Sequence, residues 1–377
     1  MTAASTPPAA LVALTRAGVS IWLDDLDRQR IASGDLARLI AEEEVRGVTT
    51  NPTIFAKALS GGGSAYAGQV NELAESGASV DDAVRALTTT DVRDACDVFA
   101  ELWKQSAGVD GRVSIEVDPR LARDTDGTIL QARLLHGMVD RGNVLIKIPG
   151  TAEGLPAITQ TLGSGISVNV TLIFSIERYA EVLDAWMSGL ERAHAAGHDL
   201  GAIDSVASFF VSRMDTEVDS RLEAIGTPEA LALRGQAGLA SARLAWGVYQ
   251  QAMASDRWKA LADLGARPQR PLWASTGVKD PAFPPTLYVM GLVVSGCVNT
   301  MPAATLAACA AYSGPVTDTI SGTQAESQGV WDRLGALGIA EPAVCQLLED
   351  QGVEKFDASW AELLDTVRQA LDAARQG

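Results

Sequence analysis

The sequence predicts an α/β fold, a closed (β/α)8 barrel of the TIM type carrying helical insertions and a helical C-terminal tail. Three observations predict it. Eight short apolar runs recur along the chain, each the length of a strand. Between them the apolar residues switch to helical spacing. Most of the runs also carry their polar residues at or near the C-terminal end, which is where barrels of this class build their sites. An open doubly wound sheet is the competing arrangement. Polar residues contributed by nearly every run favour closure, because only a closed sheet brings all eight ends around one centre.

The runs follow in order. Val19–Asp25 ends in two carboxylates, and Leu36, Leu39 and Ile40 mark the helix after it. Gly47–Pro52 ends on Asn51 before a proline. Residues 53–112 then form a first helical insertion, with Val84, Leu87, Ala95, Val98, Phe99 and Leu102 in helical register and a flexible Ser60-Gly61-Gly62-Gly63-Ser64 stretch. Val113–Asp118 contains Glu116, and Ile129, Leu130, Leu134, Leu135 and Val139 follow as a helix. Asn143–Thr151 contains Lys147, with Leu155, Ile158 and Leu162 after it. Ile166–Thr171 carries Asn169 and Thr171, followed by Tyr179, Val182, Leu183 and Trp186. Val206–Arg213 carries Ser208 and Arg213. A second insertion, 214–270, reads as two or more helices before Pro271–Gly277, which carries Ser275. Leu287–Val298 reads as a helix running into the last run, Gly296–Pro302. The tail from 326 to 375 is amphipathic and should pack as helices on the outside. No low-complexity linker or fixed repeat divides the chain, so 1–377 reads as a single domain with insertions at about 53–112 and 214–270.

Lys147 is the most informative residue. It interrupts Val144-Leu145-Ile146 and Ile148, so it must pair with a buried carboxylate or give up its charge. A neutral amine attacks carbonyls to form Schiff bases. Of the six lysines only this one lies within an apolar strand; Lys57, Lys104, Lys259 and Lys355 fall on helix-like stretches and Lys279 in a loop. Glu116 lies 31 residues earlier at the matching place in its own run.

The composition excludes several classes. A net charge of −17 without any basic run argues against nucleic acid and anionic membranes as partners. No apolar stretch is long enough to cross a membrane, and the N-terminal residues lack a signal-peptide pattern. Cys96, Cys297, Cys309 and Cys345 have neither metal-ligand nor disulfide spacing, which suits a reducing cytoplasm. His194 and His198 stand four apart without a third ligand, so they read as a surface pair. There is no dinucleotide fingerprint and no phosphate loop. The sequence leaves an oligomer open.

Taken together the motifs resemble a known family. Val48-Thr49-Thr50-Asn51-Pro52-Thr53, Ser114-Ile115-Glu116-Val117-Asp118, Leu145-Ile146-Lys147-Ile148-Pro149-Gly150-Thr151, Ser167-Val168-Asn169-Val170-Thr171 and Ser208-Phe209-Phe210-Val211-Ser212-Arg213 are similar to transaldolase, in that order. Trp22-Leu23-Asp24-Asp25-Leu26 and Leu272-Trp273-Ala274-Ser275-Thr276-Gly277-Val278-Lys279 resemble its longer, actinobacterial-type branch. The resemblance implies a class I aldolase barrel without metal or organic cofactor. It implies phosphorylated sugars as substrates: a dihydroxyacetone unit passes from sedoheptulose 7-phosphate or fructose 6-phosphate to glyceraldehyde 3-phosphate or erythrose 4-phosphate, in the pentose phosphate pathway. Lys147 is then the Schiff base, Glu116 the proton shuttle, Thr171 the holder of the catalytic water and Asp24 the base at the C4 hydroxyl. Asn51, Asn169 and Ser208 hold the hydroxyls of the three-carbon unit. Arg213, Ser275 and Lys279 serve the far end and its phosphate, Lys279 replacing an arginine that shorter members carry two residues after the serine.

Each residue also has a plainer reading. Asp24 with Asp25 and Asp27 could cap a helix, Asn51 could serve a turn, and Thr171 and Ser208 could cap following helices. Glu116 could be only the charge partner of Lys147, and Arg213 could pair with Asp215 or Glu217. Two other functions stand beside transfer: a fructose 6-phosphate aldolase, which releases dihydroxyacetone, and a non-catalytic sugar-phosphate-binding barrel.

Overall fold

The computed structural model describes residues 7–61 and 63–376. Eight strands, β1 (Ser20–Leu23), β2 (Val45–Val48), β3 (Arg112–Glu116), β4 (Val144–Pro149), β5 (Val168–Ile173), β6 (Ser205–Phe210), β7 (Arg270–Ala274) and β8 (Val298–Met301), close into a barrel. Every neighbouring pair is parallel, including β8 on β1. The strands fall on all eight apolar runs, mostly within two residues at their ends, though β2 stops four residues short of its run and β6 and β7 three.

Side chains alternate across a strand, and the alternation sorts the runs into two layers. Ile21, Leu23, Val113, Ile115, Ile146, Ile148, Val170 and Phe209 join the surrounding helices in one buried cluster. The alternate residues Trp22, Leu145, Val206, Leu272 and Val298 form a second cluster inside the barrel. Trp22 fits there because β2 offers Gly47: a Cβ on Gly47 would stand 2.6 Å from the indole. Further along, the inward side chains of seven strands turn polar, giving Asp24, Thr49, Glu116, Lys147, Thr171, Ser208 and Thr300 around the C-terminal mouth, while β7 places Ala274 there.

The helices start where the chain supplies caps. Ser79 accepts from Asp82 N, Asp124 from Gly127 N and Ser175 from Arg178 N, opening helices Val80–Val98, Thr125–Val139 and Ile176–Ala195. In the second of these Leu135 and Val139 are buried, whereas Leu130 and Leu134 face outwards, 66% and 47% exposed. The 214–270 insertion is helical as expected, through Ser212–Ile225, Pro228–Leu231, Ala237–Ala254 and Asp256–Asp263.

Three expectations need correction. The glycine-rich stretch read as flexible is helical on both sides of Gly62, which itself lies outside the described residues: Pro52–Gly61 and Gly63–Glu75 are helices held by Phe55, Leu59, Tyr66 and Val70 in the core. The apolar stretch from Leu287 forms a helix only over Leu287–Met290. Gly296, at φ +88°, then turns the chain into β8. The tail packs on the outside only in part, Gln324–Ala336 lying against Ala237–Ala254. Its last helix, Glu341–Gln376, crosses the C-terminal mouth of the barrel, with Val344, Leu348, Val353 and Phe356 in the same apolar cluster as Leu145 and Val206. Thr53 and Ser359 tie it to the helix after β2, hydroxyl to hydroxyl at 2.7 Å.

The first turn of this roof helix is pH-sensitive. Burial, with Glu177 beside it, pushes the Glu341 carboxyl up to about 7, and Glu341 Oε1 is buried without a partner. The folded state therefore binds the proton more tightly than the unfolded chain. The stability this contributes is full below the ordinary glutamate value of 4.5 and is lost as pH rises towards about 7. Melting temperatures taken from pH 4.5 to 8 should fall across that window in the wild type, and the fall should shrink in Glu341→Gln. An unchanged pH profile in the variant would remove Glu341 from the account.

Candidate active site

Lys147 points into the mouth from β4, 4% exposed, with Glu116 at 6% on β3. The two residues are register partners, and Lys147 Nζ donates to Glu116 Oε2 at 3.0 Å and to the Thr50 carbonyl at 3.1 Å. The Phe356 ring of the roof helix covers the ammonium at 5.5 Å. Burial pushes the Glu116 carboxyl above the usual carboxylate range, against the pull of Lys147.

Asp24 follows β1, its backbone N–H donating to Met301 O at 2.8 Å. The three-carboxylate cluster separates cleanly. Asp27 caps helix Arg28–Ala32, Asp25 pairs with Arg30, and Asp24 alone turns into the barrel. Thr49 Oγ1 donates to Asp24 Oδ1 at 2.7 Å and stands 2.6 Å from the Thr300 hydroxyl. Burial raises the Asp24 pKa, opposed by Lys147 and by the Thr49 hydrogen bond. A raised carboxyl is a stronger base once ionised.

Thr171 ends the polar layer on β5. The register of β5 with β6 slips between Val170 and Ile173, and Leu172 adopts φ +57°, a bulge of the kind that re-aims a side chain beside a site. Thr171 Oγ1 and Glu116 Oε1 are both buried, and neither finds a hydrogen-bond partner among the described residues. Unpartnered buried oxygens on two strands that flank Lys147 suit a bridging water.

Lys147, Asp24 and Thr171 line a cavity of about 570 Å³ together with Asn51, Ser208, Arg213, Ser275 and Lys279, with Glu116 behind Lys147. Asn51 serves both of its readings. Its Oδ1 accepts from Ile54 N at 3.0 Å, capping helix Pro52–Gly61, and its amide also faces the cavity. Ser275, at φ +55°, is bonded through its hydroxyl to Ser212 at 2.8 Å. Asn169 does not line the cavity. It is the register partner of Lys147, but its amide donates to Ser114 Oγ at 3.0 Å and accepts from Ser208 Oγ at 2.7 Å.

Arg213 stacks on Phe210 at 5.0 Å and on Phe356 at 5.9 Å. The acids that could have claimed it are taken, Asp215 by Tyr288 and Gly238 N, and Glu217 by Arg221. Sequence reasoning missed Thr49, Thr300, Gln351, Lys355 and Phe356, all of which line the cavity. The threonines sit where any strand threonine would. The other three belong to the helix expected outside.

Comparison with known proteins agrees with the resemblance. A family model described as Transaldolase/Fructose-6-phosphate aldolase matches residues 21–367. A protein of Mycolicibacterium smegmatis named Transaldolase is 60% identical over 366 residues, covering 97% of this chain and 98% of its own. Proteins of the same name from Thermobifida fusca and Saccharopolyspora erythraea are 58% and 59% identical, covering 96% and 97% of this chain and 98% of their own lengths.

Proposed function

Because the chain belongs to the transaldolase/fructose-6-phosphate aldolase family and is a transferase, we propose that it carries a dihydroxyacetone unit from sedoheptulose 7-phosphate or fructose 6-phosphate to glyceraldehyde 3-phosphate or erythrose 4-phosphate, through a Schiff base on Lys147 and within the pentose phosphate pathway. The observation that carries this reading is a buried lysine amine hydrogen-bonded to a carboxyl whose proton affinity is raised, in a cavity whose lining includes Arg213, Lys279 and Lys355, none of them in an ion pair among the described residues.

The neutral amine of Lys147 attacks the C2 carbonyl. Glu116, through a water held by Thr171, protonates the departing hydroxide of the carbinolamine and leaves the iminium. Asp24 takes the proton from the C4 hydroxyl, the C3–C4 bond breaks, and its electrons pass into the iminium to give a three-carbon enamine. The new aldose phosphate leaves, and the acceptor aldehyde reverses the last step, with Asp24 returning the proton. Asn51 and Ser208 hold the hydroxyls of the three-carbon unit, and Asn169 orients Ser208. Arg213, Ser275 and Lys279 hold the phosphate end.

Transfer is separated from lyase activity by supplying fructose 6-phosphate with and without erythrose 4-phosphate. Sedoheptulose 7-phosphate formed only with the acceptor supports the reading. Free dihydroxyacetone accumulating equally fast without acceptor would make the protein an aldolase instead. The roof over Lys147 favours transfer, because the enamine must be kept from water between the two half-reactions.

Arg213 gives a second test. In Arg213→Ala the Michaelis constant for phosphorylated donors should rise by about ten- to a hundredfold, the range for a charge-assisted hydrogen bond. Turnover should fall by less, through poorer orientation of the reacting end. Steady-state kinetics on fructose 6-phosphate and on fructose make the comparison; equal damage to both donors would make Arg213 a structural residue.

A further inference from the structure

The roof helix presents one face to the cavity: Leu348, Gln351, Lys355 and Phe356 fall at helical spacing and all line it. Lys355 is exposed, but its surroundings are cationic. Arg213 at the end of β6 and Lys279 after β7 line the same cavity and weaken its hold on its own proton, after burial. No ion pair of the described residues includes any of the three. The acid one residue beyond Lys279, Asp280, is claimed by Arg234, and Glu217 by Arg221.

Three cations lining one cavity repel one another; Asp24 and Glu116 draw on Arg213, and Asp24 on Lys279, but neither carboxyl forms an ion pair with them among the described residues. A dianion among them relieves that repulsion and makes charge-assisted hydrogen bonds to each. Two of the three come from the barrel side, Arg213 on the first turn of helix Ser212–Ile225 and Lys279 on the segment after β7. Lys355 comes from the far wall, one residue before the ring that covers Lys147. The helix is held close to the barrel cations: a Cβ on Gly352 would stand 3.5 Å from Arg213 Nη1.

We propose that Lys355 is a third phosphate-holding residue, supplied by the roof helix, and that it sets the preference of the site for phosphorylated over unphosphorylated ketose donors. This rests on the reading of the cavity as a sugar-phosphate site. A phosphoryl group bound between Arg213, Lys279 and Lys355 spans barrel and roof, so donors carrying it are held from both sides. A donor without it meets only the hydroxyl-binding residues near Lys147.

The test uses Lys355→Met, which keeps the stem and removes the charge, with Lys355→Arg as the charge-retaining control. Donors are fructose 6-phosphate and fructose, with unphosphorylated glyceraldehyde as acceptor so that only the donor brings a phosphate. In Lys355→Met the KM for fructose 6-phosphate should rise about five- to tenfold, toward the lower end for a charged contact because this one faces solvent. The kcat should stay within about twofold, and Lys355→Arg should recover most of the loss. Kinetics on fructose should match the wild type, and calorimetric binding of inorganic phosphate should weaken by the same factor. Unchanged KM and unchanged phosphate affinity in Lys355→Met would overturn the assignment, as would equal losses on both donors. Borohydride trapping with dihydroxyacetone separates the two readings, since that ligand carries no phosphate. A label on Lys147 in wild type and variant, with phosphate affinity unchanged, overturns the role of Lys355 alone. No label in the wild type overturns the lysine mechanism, while phosphate calorimetry still decides for or against Lys355.

Discussion

In Lys147→Met, turnover falls by about five orders of magnitude or more, the scale seen when a covalent nucleophile is removed from a cooperating group. Borohydride reduction in the presence of fructose 6-phosphate adds a three-carbon mass to the wild-type peptide containing Lys147 and adds none to the variant. The stability change is informative as well. Losing one partner of a buried pair costs about 3–5 kcal/mol when the other charge is left uncompensated. Here the survivor is Glu116, whose carboxyl burial already pushes towards the protonated form, so it can neutralise itself and the loss should be smaller at pH 5 than at pH 8. The double variant Lys147→Met/Glu116→Gln should regain stability in urea titrations and regain no activity. A label on Lys279, or turnover within tenfold of wild type, would end the Schiff-base assignment.

Glu116→Gln has the next largest effect. The substitution keeps the volume and leaves an amide oxygen for Lys147 Nζ, now at 3.0 Å from Glu116 Oε2. What disappears is the exchangeable proton, and with it about two to four orders of magnitude in turnover. Because carbinolamine dehydration is the step affected, pre-steady-state formation of the iminium should slow by the same factor, while binding of inorganic phosphate at the other end of the cavity stays unchanged. Wild-type turnover would reduce Glu116 to a charge partner, the plainer of its two readings.

The strands and most of the site could be read from the chain because they share one rule. A residue inside a closed barrel is apolar near the bottom and polar near the top, so Lys147 two places after Leu145, and Ser208 two places after Val206, mark both strand and candidate site. The same rule is silent about Thr49 and Thr300, whose hydroxyls position Asp24 but whose residue type is ordinary in strands. It is silent about the roof helix for another reason. Helical periodicity states which face is apolar and not what that face meets, and lysines on helices are commonplace. One signal was present. Gly352 sits in mid-helix, where glycine costs about 1 kcal/mol relative to alanine, and its reason is proximity: a Cβ there would come within 3.1 Å of Leu172 and 3.5 Å of Arg213. The limits of Leu287–Met290 were hidden likewise, since an apolar run does not distinguish a buried helix from a buried irregular segment.

The roof has a consequence for the newly made chain. Residues 341–376 are translated after β8, so a ribosome completes all eight strands before the covering helix exists. At roughly 5–20 residues per second, synthesis of the covering helix takes a few seconds more. In the complete chain Lys147 has both its carboxyl partner and the Phe356 ring, and only the second of these comes from the last helix. Birth order therefore leaves the wall that carries Phe356 and Lys355 as the last part of the cavity to be made.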